Sequence, residues 1–461
     1  MYGNLRAYLS NNTYPFHMPG HKRNPMYLPA ALAELDITEV SGMDILRNPT
    51  GIIKALQEKI AEFYGADESF ILVNGSSAGV VAAICAASGD GVGSGKLYAA
   101  RNGHVSMFSG MALSGAYPVY ITPEVAAGNT GMAGLAGGIS PEMLDGIAEN
   151  SAAIIVSPTY EGFVSDIKAI ADKVHSRNGV LIVDEAHGAH FPFHSTFPDS
   201  ALNHGADIVI QSFHKTLPAL GQLAVLHVKG SRVDIGRLKF YLQAMQTTSP
   251  SYMLMAQLDY ALGILWKRPE LFDMYVKRLV SLRNALTSDE ILPIELVGPG
   301  LTGRMGIHDI DHGKLLFRVN INENAERISN ILLAEYALQL EMATGQYLLA
   351  MTSVADTDEG MQKLWAAIGA LNIKSRAKFS THKALLNEND ASPEALTIPE
   401  MVIPPRQAAR HTTEIIPWEM AEGRIAGEVI ANYPPGIALV APGERIPGGL
   451  PKLNSHIRVI K

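Results

Sequence analysis

Two groups of polar residues each follow a short apolar run, where they could perform amine and acid–base chemistry. The run VLIVDEAHGAHF puts Asp184 and His187 directly after one apolar stretch. The run IVIQSFHKTLPALGQ puts Ser212, His214 and Lys215 after the next one. Because ligands of open α/β sheets lie at the carboxyl ends of the strands, we expect these side chains to meet in one site.

A lysine amine and a carboxylate at such strand ends match the needs of pyridoxal 5′-phosphate (PLP). The cofactor requires a lysine for a Schiff base and an acid on its pyridinium nitrogen, which keeps the ring protonated as an electron sink. We therefore predict that Lys215 carries PLP as an internal aldimine and that Asp184 holds the ring nitrogen. Taken singly, Asp184 could be a helix cap and Lys215 a solvated loop charge, but the pair in this strand context favours the cofactor.

A third segment could bind the phosphate group of that cofactor. The run LVNGSSAGVVAAI predicts a strand, then the turn Gly75-Ser76-Ser77, then an apolar helix. Backbone N–H groups and hydroxyls at a helix start bind phosphate, although such a turn can also do no more than cap the helix. Ser212 would add a second hydroxyl. His104, in RNGHVS, is a candidate to stack on the pyridine ring, with a purely structural role as the alternative.

Apolar runs that alternate with helical patterns predict the elements that position these residues. Continuous Val/Ile/Leu runs separated by helices indicate an α/β fold with a mostly parallel sheet, and we place its strands at 69–74, 152–157, 179–186, 206–212 and 222–228. Apolar residues at helical spacing predict a helix over 51–65. We expect an N-terminal arm (1–50), a PLP-binding large domain (51–300), a small α+β domain (301–375), a linker (376–404) and a C-terminal domain (405–461).

Composition restricts the class of protein. With 461 residues, 47% apolar content and a net charge of −8, the chain is globular and carries no sign of nucleic-acid binding. One cysteine, Cys85, excludes an internal disulfide and fits a reducing compartment. No apolar run reaches the roughly 18 residues of a membrane span. We therefore predict a cytoplasmic protein with no membrane or metal partner.

Several motifs together resemble one known family. The string SPTYEGFVSDIKAIADKVHSRNGVLIVDEAHGAHFPFH, followed by SFHKTLPALGQ, is similar to the PLP-dependent ornithine, lysine and arginine decarboxylases. FHMPGHK, DITEVSGMDILRNPTGII, LVNGSSAG, RNGHVS and YPPGIALVAPGE follow the order of that family, so the resemblance spans nearly the whole chain. It implies the PLP-dependent transferase fold of type I, a C-terminal decarboxylase-type domain and the short, biosynthetic kind of member.

The resemblance also implies roles for individual residues. Lys215 forms the aldimine, His214 lies near the reacting carbon and the leaving carboxylate, Asp184 holds the pyridine nitrogen and His104 stacks on the ring. His187 lies beside the ring, and its role could be no more than to shape the wall of the site. The hydroxyls that match the phosphate site of the family are those of Ser76, Ser77 and Ser212.

A basic substrate in an enclosed site needs a carboxylate partner, because an unpaired buried cation is costly. Glu341, in ALQLEMATGQYLLAMTSVADT, is our candidate, and the family shows a glutamate in a similar apolar context. A solvent-facing acid at a helix–strand junction is the alternative. The fold implies a homodimer with a shared site, possibly assembled further. The segment QTTSPSY (246–252), with Thr247 as a substrate contact, and the N-terminal arm are candidates to complete the partner's pocket.

We predict decarboxylation of arginine, lysine or ornithine: exchange of the substrate amine for Lys215, loss of CO₂, and protonation of Cα by His214 or Lys215. Another PLP reaction on an arginine-like substrate (transamination, elimination or cyclisation) and a non-catalytic PLP-binding role are the alternatives. Three departures from the family pattern bear on this choice. Val105 replaces a usual lysine, Arg47 a usual histidine and Ala438 a usual proline, and the first two could alter substrate choice or outcome.

Overall fold

The computed structural model describes residues 14–16, 20, 22, 24–27, 44–126, 135–288, 292–321, 323–382, 394–395, 398–432 and 437–461. Most of the expected N-terminal arm and most of the expected linker lie outside these residues. Parts of the motifs FHMPGHK, DITEVSGMDILRNPTGII and YPPGIALVAPGE lie outside them as well.

The strands are short, and many are fully buried. In chain order they are β1 (Tyr14–Phe16), β2 (Glu68–Leu72), β3 (Lys96–Ala100), β4 (Tyr117–Ile121), β5 (Glu124–Val125), β6 (Ala152–Val156), β7 (Phe163–Val164), β8 (Val180–Asp184), β9 (Ile208–Gln211), β10 (Ala224–Val228), β11 (Ile294–Leu296), β12 (Asp309–Ile310), β13 (Lys314–Val319), β14 (Leu338–Leu340), β15 (Met342–Thr344), β16 (Tyr347–Met351), β17 (Glu394–Ala395), β18 (Thr413–Pro417), β19 (Ile430–Asn432), β20 (Ile437–Val440) and β21 (His456–Ile460).

The helices lie mainly in the first four-fifths of the chain. In order they are α1 (Ile52–Tyr64), α2 (Gly75–Ala87), α3 (Val105–Ser114), α4 (Ile167–Ser176), α5 (Phe213–Thr216), α6 (Ile235–Met245), α7 (Tyr252–Lys267), α8 (Glu270–Leu286), α9 (Ala325–Tyr336), α10 (Asp358–His382) and α11 (Pro405–Ala408). Helix α1 ends at Gly65, whose left-handed backbone (φ 69°) suits a residue without a side chain. None of the described helices is both long and apolar enough to cross a bilayer.

A seven-stranded sheet in the order β2-β10-β9-β8-β6-β3-β4 carries the large unit. All of its neighbouring pairs are parallel except those of β10, which is antiparallel to both β2 and β9. Strands β9 and β10 are buried along their whole length, because helices cover both faces. The predicted α/β fold with a mostly parallel sheet is thus confirmed.

Helix α2 shows why the predicted phosphate-binding segment lies where it does. Its residues Ala78–Ala86 are all buried, so the helix must pack between the sheet and other helices. It contacts α3, α6 and the sheet. Because the helix begins directly after β2, its first residues open at the carboxyl end of the sheet.

A smaller antiparallel sheet, in the order β11-β13-β16-β15, follows the long helices α7 and α8. It begins at Ile294, ahead of the boundary at 301 that we expected for the small domain. Helix α10 continues to His382, past the expected start of the linker at 376. The C-terminal residues form two antiparallel pairs, β18 with β21 and β19 with β20.

Candidate active site

A cavity of about 530 Å³ opens at the carboxyl ends of the central strands. It collects most of the residues that the sequence singles out, although those residues are far apart in the chain. The predicted residues on its wall are Ser76, Ser77, His104, Asp184, His187, His214, Lys215 and Glu341. Ser212 is fully buried directly behind this wall and its hydroxyl donates to Ser76 Oγ at 2.8 Å.

Asp184 and Lys215 come from neighbouring strand ends, as their spacing predicts. Asp184 is the last residue of β8 and only 4% exposed, and its Oδ1 accepts the N–H of Ala186 at 3.2 Å. Burial raises the pKa of Asp184, against the opposing effect of Lys215 and His104. Lys215 lies in the short helix α5 that follows β9, and burial lowers its pKa. A buried acid and a buried amine thus lie in one cavity.

The start of helix α2 leaves backbone donors for an anion. Asn74 occupies the N-cap without a side-chain hydrogen bond to the helix. Gly75 has a φ of 78°, and the position where its Cβ would lie is open space. Ser76 is half-buried and Ser77 is exposed at this helix start. Free N–H groups, hydroxyls and the helix dipole therefore converge at one end of the cavity.

His104 is the N-cap of α3, which fixes its imidazole at the cavity wall. Nδ1 accepts the N–H of Ser106 at 3.2 Å and lies 2.9 Å from its hydroxyl. The backbone of His104 also pairs with Ile437, a C-terminal residue that lines the same cavity. Burial lowers the pKa of His104, so the ring is neutral near neutral pH.

His214 is held by the backbone. Its Nδ1 lies 2.9 Å from the carbonyl oxygen of Leu223. Because a carbonyl only accepts, the hydrogen belongs to Nδ1 and the lone pair to Nε2. Burial lowers the pKa of His214 to about 4, which keeps the ring neutral near neutral pH.

Glu341 lies in the chain between β14 and β15 and lines the cavity, in contrast to the solvent-facing alternative. The hydroxyl of Tyr160 donates to its Oε1 in a short hydrogen bond. Thr247 does not reach this cavity within the chain. It is exposed and lines a separate surface cavity together with Arg47 and Gln243.

The three departures from the family pattern lie at different depths. Arg47 is exposed and donates to the side chain of Gln243 at 3.2 Å. Val105 is the first residue of α3, directly after His104. Ala438 is buried in β20. None of the three lines the cavity.

Sequence reasoning missed several residues of this region. Tyr160, Glu161 and Gln222 line the cavity, and the buried Lys314 contacts His187 from behind. Tyr160 and Glu161 follow β6, so the strand-end rule could have found them. Lys314 had a weaker signal, a lysine that opens the apolar strand KLLFRV.

The residues present fit PLP. The uncapped helix start, with open space at Gly75, suits a phosphate, and the buried carboxylate of Asp184 suits a ring nitrogen that must stay protonated. Lys215 supplies the amine within the same cavity. Among the described residues, no cluster of three or more His, Cys, Asp or Glu side chains could hold a metal ion.

Comparison with known proteins identifies the family of the chain. The sequence profile described as Orn/Lys/Arg decarboxylase, major domain, matches residues 1–314, and that of the Orn/Lys/Arg decarboxylase C-terminal domain matches 389–460. An arginine decarboxylase of Halalkalibacterium halodurans is 32% identical over 97% of this chain and 90% of its own length.

Solved structures agree at the level of the fold. The constitutive lysine decarboxylase of Escherichia coli has a TM-score of 0.74 at 19% identity, over 94% of this chain and 76% of that one. A structure of SPT with PLP as an internal aldimine has a TM-score of 0.54 at 14% identity, over 78% of this chain and 87% of that one. Since the matched profile covers more than half of the sequence, the chain belongs to the Orn/Lys/Arg decarboxylase family.

Proposed function

We propose that arginine is the amino acid from which this PLP-dependent decarboxylase removes the α-carboxylate, yielding agmatine and CO₂. The observation that carries the proposal is the placement of Glu341 in the same cavity as Lys215 and Asp184. A guanidinium in that cavity meets a carboxylate and avoids the cost of an unpaired buried cation. The relative from H. halodurans, named an arginine decarboxylase, supports arginine over lysine.

In this proposal the cavity would hold the cofactor at four places. Lys215 would attach it covalently, Asp184 would bind its ring nitrogen and His104 would stack on its ring. The phosphate would bind to the start of α2 through the hydroxyls of Ser76 and Ser77, and Ser212 would support this contact through its hydrogen bond to Ser76. Bound PLP supplies an electron sink for the electrons left on Cα when the carboxylate departs.

The chain's own residues would handle the protons. A neutral Lys215 can take the proton of the substrate's α-ammonium group and later deliver it to Cα. His214 is less suited to hold a proton, because burial lowers its pKa to about 4 and its Nδ1 hydrogen is bound to Leu223. We therefore assign proton delivery to Lys215, and assign His214 to the wall beside the departing carboxylate.

We further propose a homodimer in which each protomer completes the other's cavity. The exposed segment around Thr247, which stays away from the cavity of its own chain, supports an intermolecular role. Light scattering should give twice the chain mass of 49.6 kDa. A fully active species with the mass of one chain would contradict the shared site. The buried free thiol of Cys85 supports a cytoplasmic location for this dimer.

We propose that the chain divides around the site much as its sequence suggests. Glu341 would reach the cavity from the small antiparallel unit, and Lys314 would reach His187 behind the cavity wall. That unit would cover the distal end of the substrate, while the large unit holds the cofactor. Both residues contact groups of the large unit, His187 and Tyr160, which supports this division.

The test is a product analysis of the PLP-loaded protein with arginine, lysine and ornithine. We expect agmatine and CO₂ in equal amounts from arginine, with kcat/KM at least about tenfold above that for lysine or ornithine, since this corresponds to only about 1.4 kcal/mol of discrimination. The Lys215→Ala protein serves as the inactive control. Formation of a keto acid without CO₂ would assign the protein a transamination instead. A higher kcat/KM for lysine than for arginine would change the proposed substrate from arginine to lysine.

A further inference from the structure

The imidazole of His187 lies between two lysine amines from different parts of the fold. Its Nε2 is 3.1 Å from Lys215 Nζ, and its Nδ1 is 2.6 Å from Lys314 Nζ. His187 is 4% exposed and Lys314 is 3% exposed. Burial, reinforced by the two lysines, lowers the pKa of His187 well below its ordinary value, so the ring is neutral.

This arrangement limits the charge that the two lysines can carry. A neutral imidazole has one N–H donor and one acceptor nitrogen, whereas an ammonium group can only donate. If both lysines were charged, one ammonium would face the ring N–H, donor against donor. While both contacts hold, at most one of Lys215 and Lys314 is therefore charged, and the other accepts the ring hydrogen.

Burial lowers the pKa of Lys314 to about 7, and the carboxylates of Asp311 and Glu341 oppose this shift. These carboxylates favour Lys314 over Lys215 as the charged partner, and the buried Asp311 contributes most. Burial alone would raise the pKa of Asp311, but His190 at 3.1 Å, Lys314 and the N–H of Gly313 at 2.8 Å together outweigh it, so this carboxylate stays charged. The other charged or titratable groups that face Lys314 are Glu341, Glu161, Lys22, Lys215 and Tyr160, whose ring centroid lies 5.9 Å from Nζ.

The surroundings of Lys215 stabilise a positive charge less than those of Lys314. The carboxylates that face it are Asp184 and Glu341, and the imidazoles of His104, His187 and His214 lie around it. Burial raises the pKa of Asp184, and in the proposed function that carboxylate serves the cofactor's ring nitrogen. The carboxylate beside Lys314, Asp311, has no such competing role, because it does not line the cavity.

We propose that Lys314 is a positioning residue that keeps Lys215 uncharged through His187. Lys314 donates to Nδ1, the ring hydrogen therefore lies on Nε2, and Nε2–H donates to the lone pair of Lys215. An uncharged amine is the form that bonds to the cofactor's aldehyde carbon, where a C=N bond replaces the C=O bond and one water leaves. This inference rests on the proposed attachment of PLP to Lys215.

The test is the pH dependence of PLP attachment to the apoenzyme, which does not depend on catalytic activity. Attachment is trapped by borohydride at each pH and located by mass spectrometry. Lys314→Gln removes the positive charge and the ammonium group that donates to Nδ1 of His187. We expect the midpoint of attachment to rise by at least about one pH unit, so that attachment near neutral pH slows about tenfold. Lys314→Arg, which keeps a charged donor, should stay close to the unaltered protein.

Lys168→Gln is the matched control, because it removes an exposed lysine that pairs with Asp172 on the surface of α4. Its midpoint should not move. An unchanged midpoint in Lys314→Gln would overturn the inference while leaving Lys215 as the attachment site. Label on a peptide without Lys215 in the unaltered protein would instead overturn the proposed function.

A second measurement does not depend on the folding of the Lys314 variants. Nitrogen-15 NMR of histidine-labelled apoenzyme distinguishes the two imidazole tautomers, and His187→Gln identifies the signal. We expect His187 to carry its hydrogen on Nε2. A hydrogen on Nδ1 would show that Lys314 accepts rather than donates, and would overturn the inference.

Discussion

Asp184 and Glu341 line one cavity, and each is a carboxylate that could be replaced by an amide of nearly the same shape. Such replacements remove charge without creating a cavity, so their effects report on electrostatics. The two substitutions should impair different steps, because Asp184 faces the cofactor in our proposal and Glu341 faces the substrate.

Asp184→Asn should bind PLP and turn over slowly. An amide cannot hold a positive charge on the ring nitrogen, so the electron sink weakens. Loss of a hydrogen bond to a charged group costs about 1.5–3 kcal/mol. We expect kcat to fall roughly ten- to hundredfold, with PLP content by absorbance close to normal. Asp199→Asn, at an exposed carboxylate, is the control. Normal kcat in Asp184→Asn would exclude the proposed contact.

Glu341→Gln should leave the cofactor in place and weaken the grip on arginine. Breaking a buried charge pair costs about 3–5 kcal/mol, and Glu341 is only half-buried, so we expect the lower end of that range. Steady-state kinetics should show kcat/KM about a hundredfold lower, mainly through KM. Glu335→Gln on α9, which breaks an exposed pair with Lys374, should change neither constant. A change below about threefold with each basic amino acid would mean that another acid binds the cationic end.

Strand-end reasoning predicted that the residues proposed to hold the cofactor lie in one cavity, because each strand end can be recognised from the local sequence. Asp184, His187 and Lys215 follow adjacent parallel strands, so their convergence needs no knowledge of the rest of the chain. Lys314 escaped that reasoning, since its contact with His187 spans 127 positions and depends on how the small unit packs. The roles of all these residues stay predictions until the variants are measured.

The start of helix α1 depends on a residue outside the helix. The carboxylate of Asp44 accepts the N–H groups of Thr50, Gly51, Ile53 and Lys54 at 2.7–3.1 Å. Gly51, the N-cap itself, offers no side chain. Asp44 therefore satisfies donors that the helix leaves unpaired, and its negative charge faces the positive end of the helix dipole.

Asp44→Asn should destabilise the fold by about 1–2 kcal/mol, in the range of a lost helix cap. Burial alone would raise the pKa of Asp44, but the backbone hydrogen bonds outweigh it and lower the pKa from 3.8 to about 2. A depressed folded-state pKa contributes stability above the unfolded value. The stability difference between the two proteins should therefore be constant from neutral pH to about 4 and vanish as the pH falls towards about 2.

Denaturant unfolding at a series of pH values measures this difference, with Asp259→Asn on the exposed face of α7 as the control. A difference that grows as the pH falls would contradict the expected loss of stability at low pH.

Helix α1 itself was predictable, because apolar residues recur at helical spacing and Gly65 ends it. The remote cap at Asp44 was not, since the carboxylate reaches the helix across a loop.

The direction of one strand also escaped prediction. An apolar run reads the same in either direction, so QLAVLHV predicted a buried strand but not that β10 runs antiparallel to both neighbours. Only the connections decide this. The connection between β9 and β10 spans residues 212–223 and contains the one-turn helix α5, which is at the lower limit of length for the crossover that a parallel strand needs.

A buried ion pair joins the C-terminal region to the loop of the large unit that ends at His104. Arg101 is 1% exposed and Glu444 is 0% exposed, with Nη2 and Oε2 2.7 Å apart. Arg101 also donates to the carbonyl of Leu439 at 3.2 Å, and Glu444 accepts the N–H of Ala441 at 2.6 Å. The pair thus holds β20 against the loop that ends at His104, whose backbone pairs with Ile437.

Glu444→Gln should therefore weaken both the fold and the cofactor site. Leaving Arg101 buried without its partner costs about 3–5 kcal/mol, which we expect to lower Tm by at least about 3 °C. Because β20 and His104 share a backbone contact, the Kd for PLP should rise as well. The double variant Arg101→Met/Glu444→Leu should recover much of the Tm, since no unpaired charge remains. Glu419→Gln, which breaks an exposed pair with Lys452 in the same C-terminal region, is the matched control and should leave Tm and PLP affinity unchanged. A fall in Tm without any change in Kd would show that the C-terminal region stabilises the fold but does not position His104.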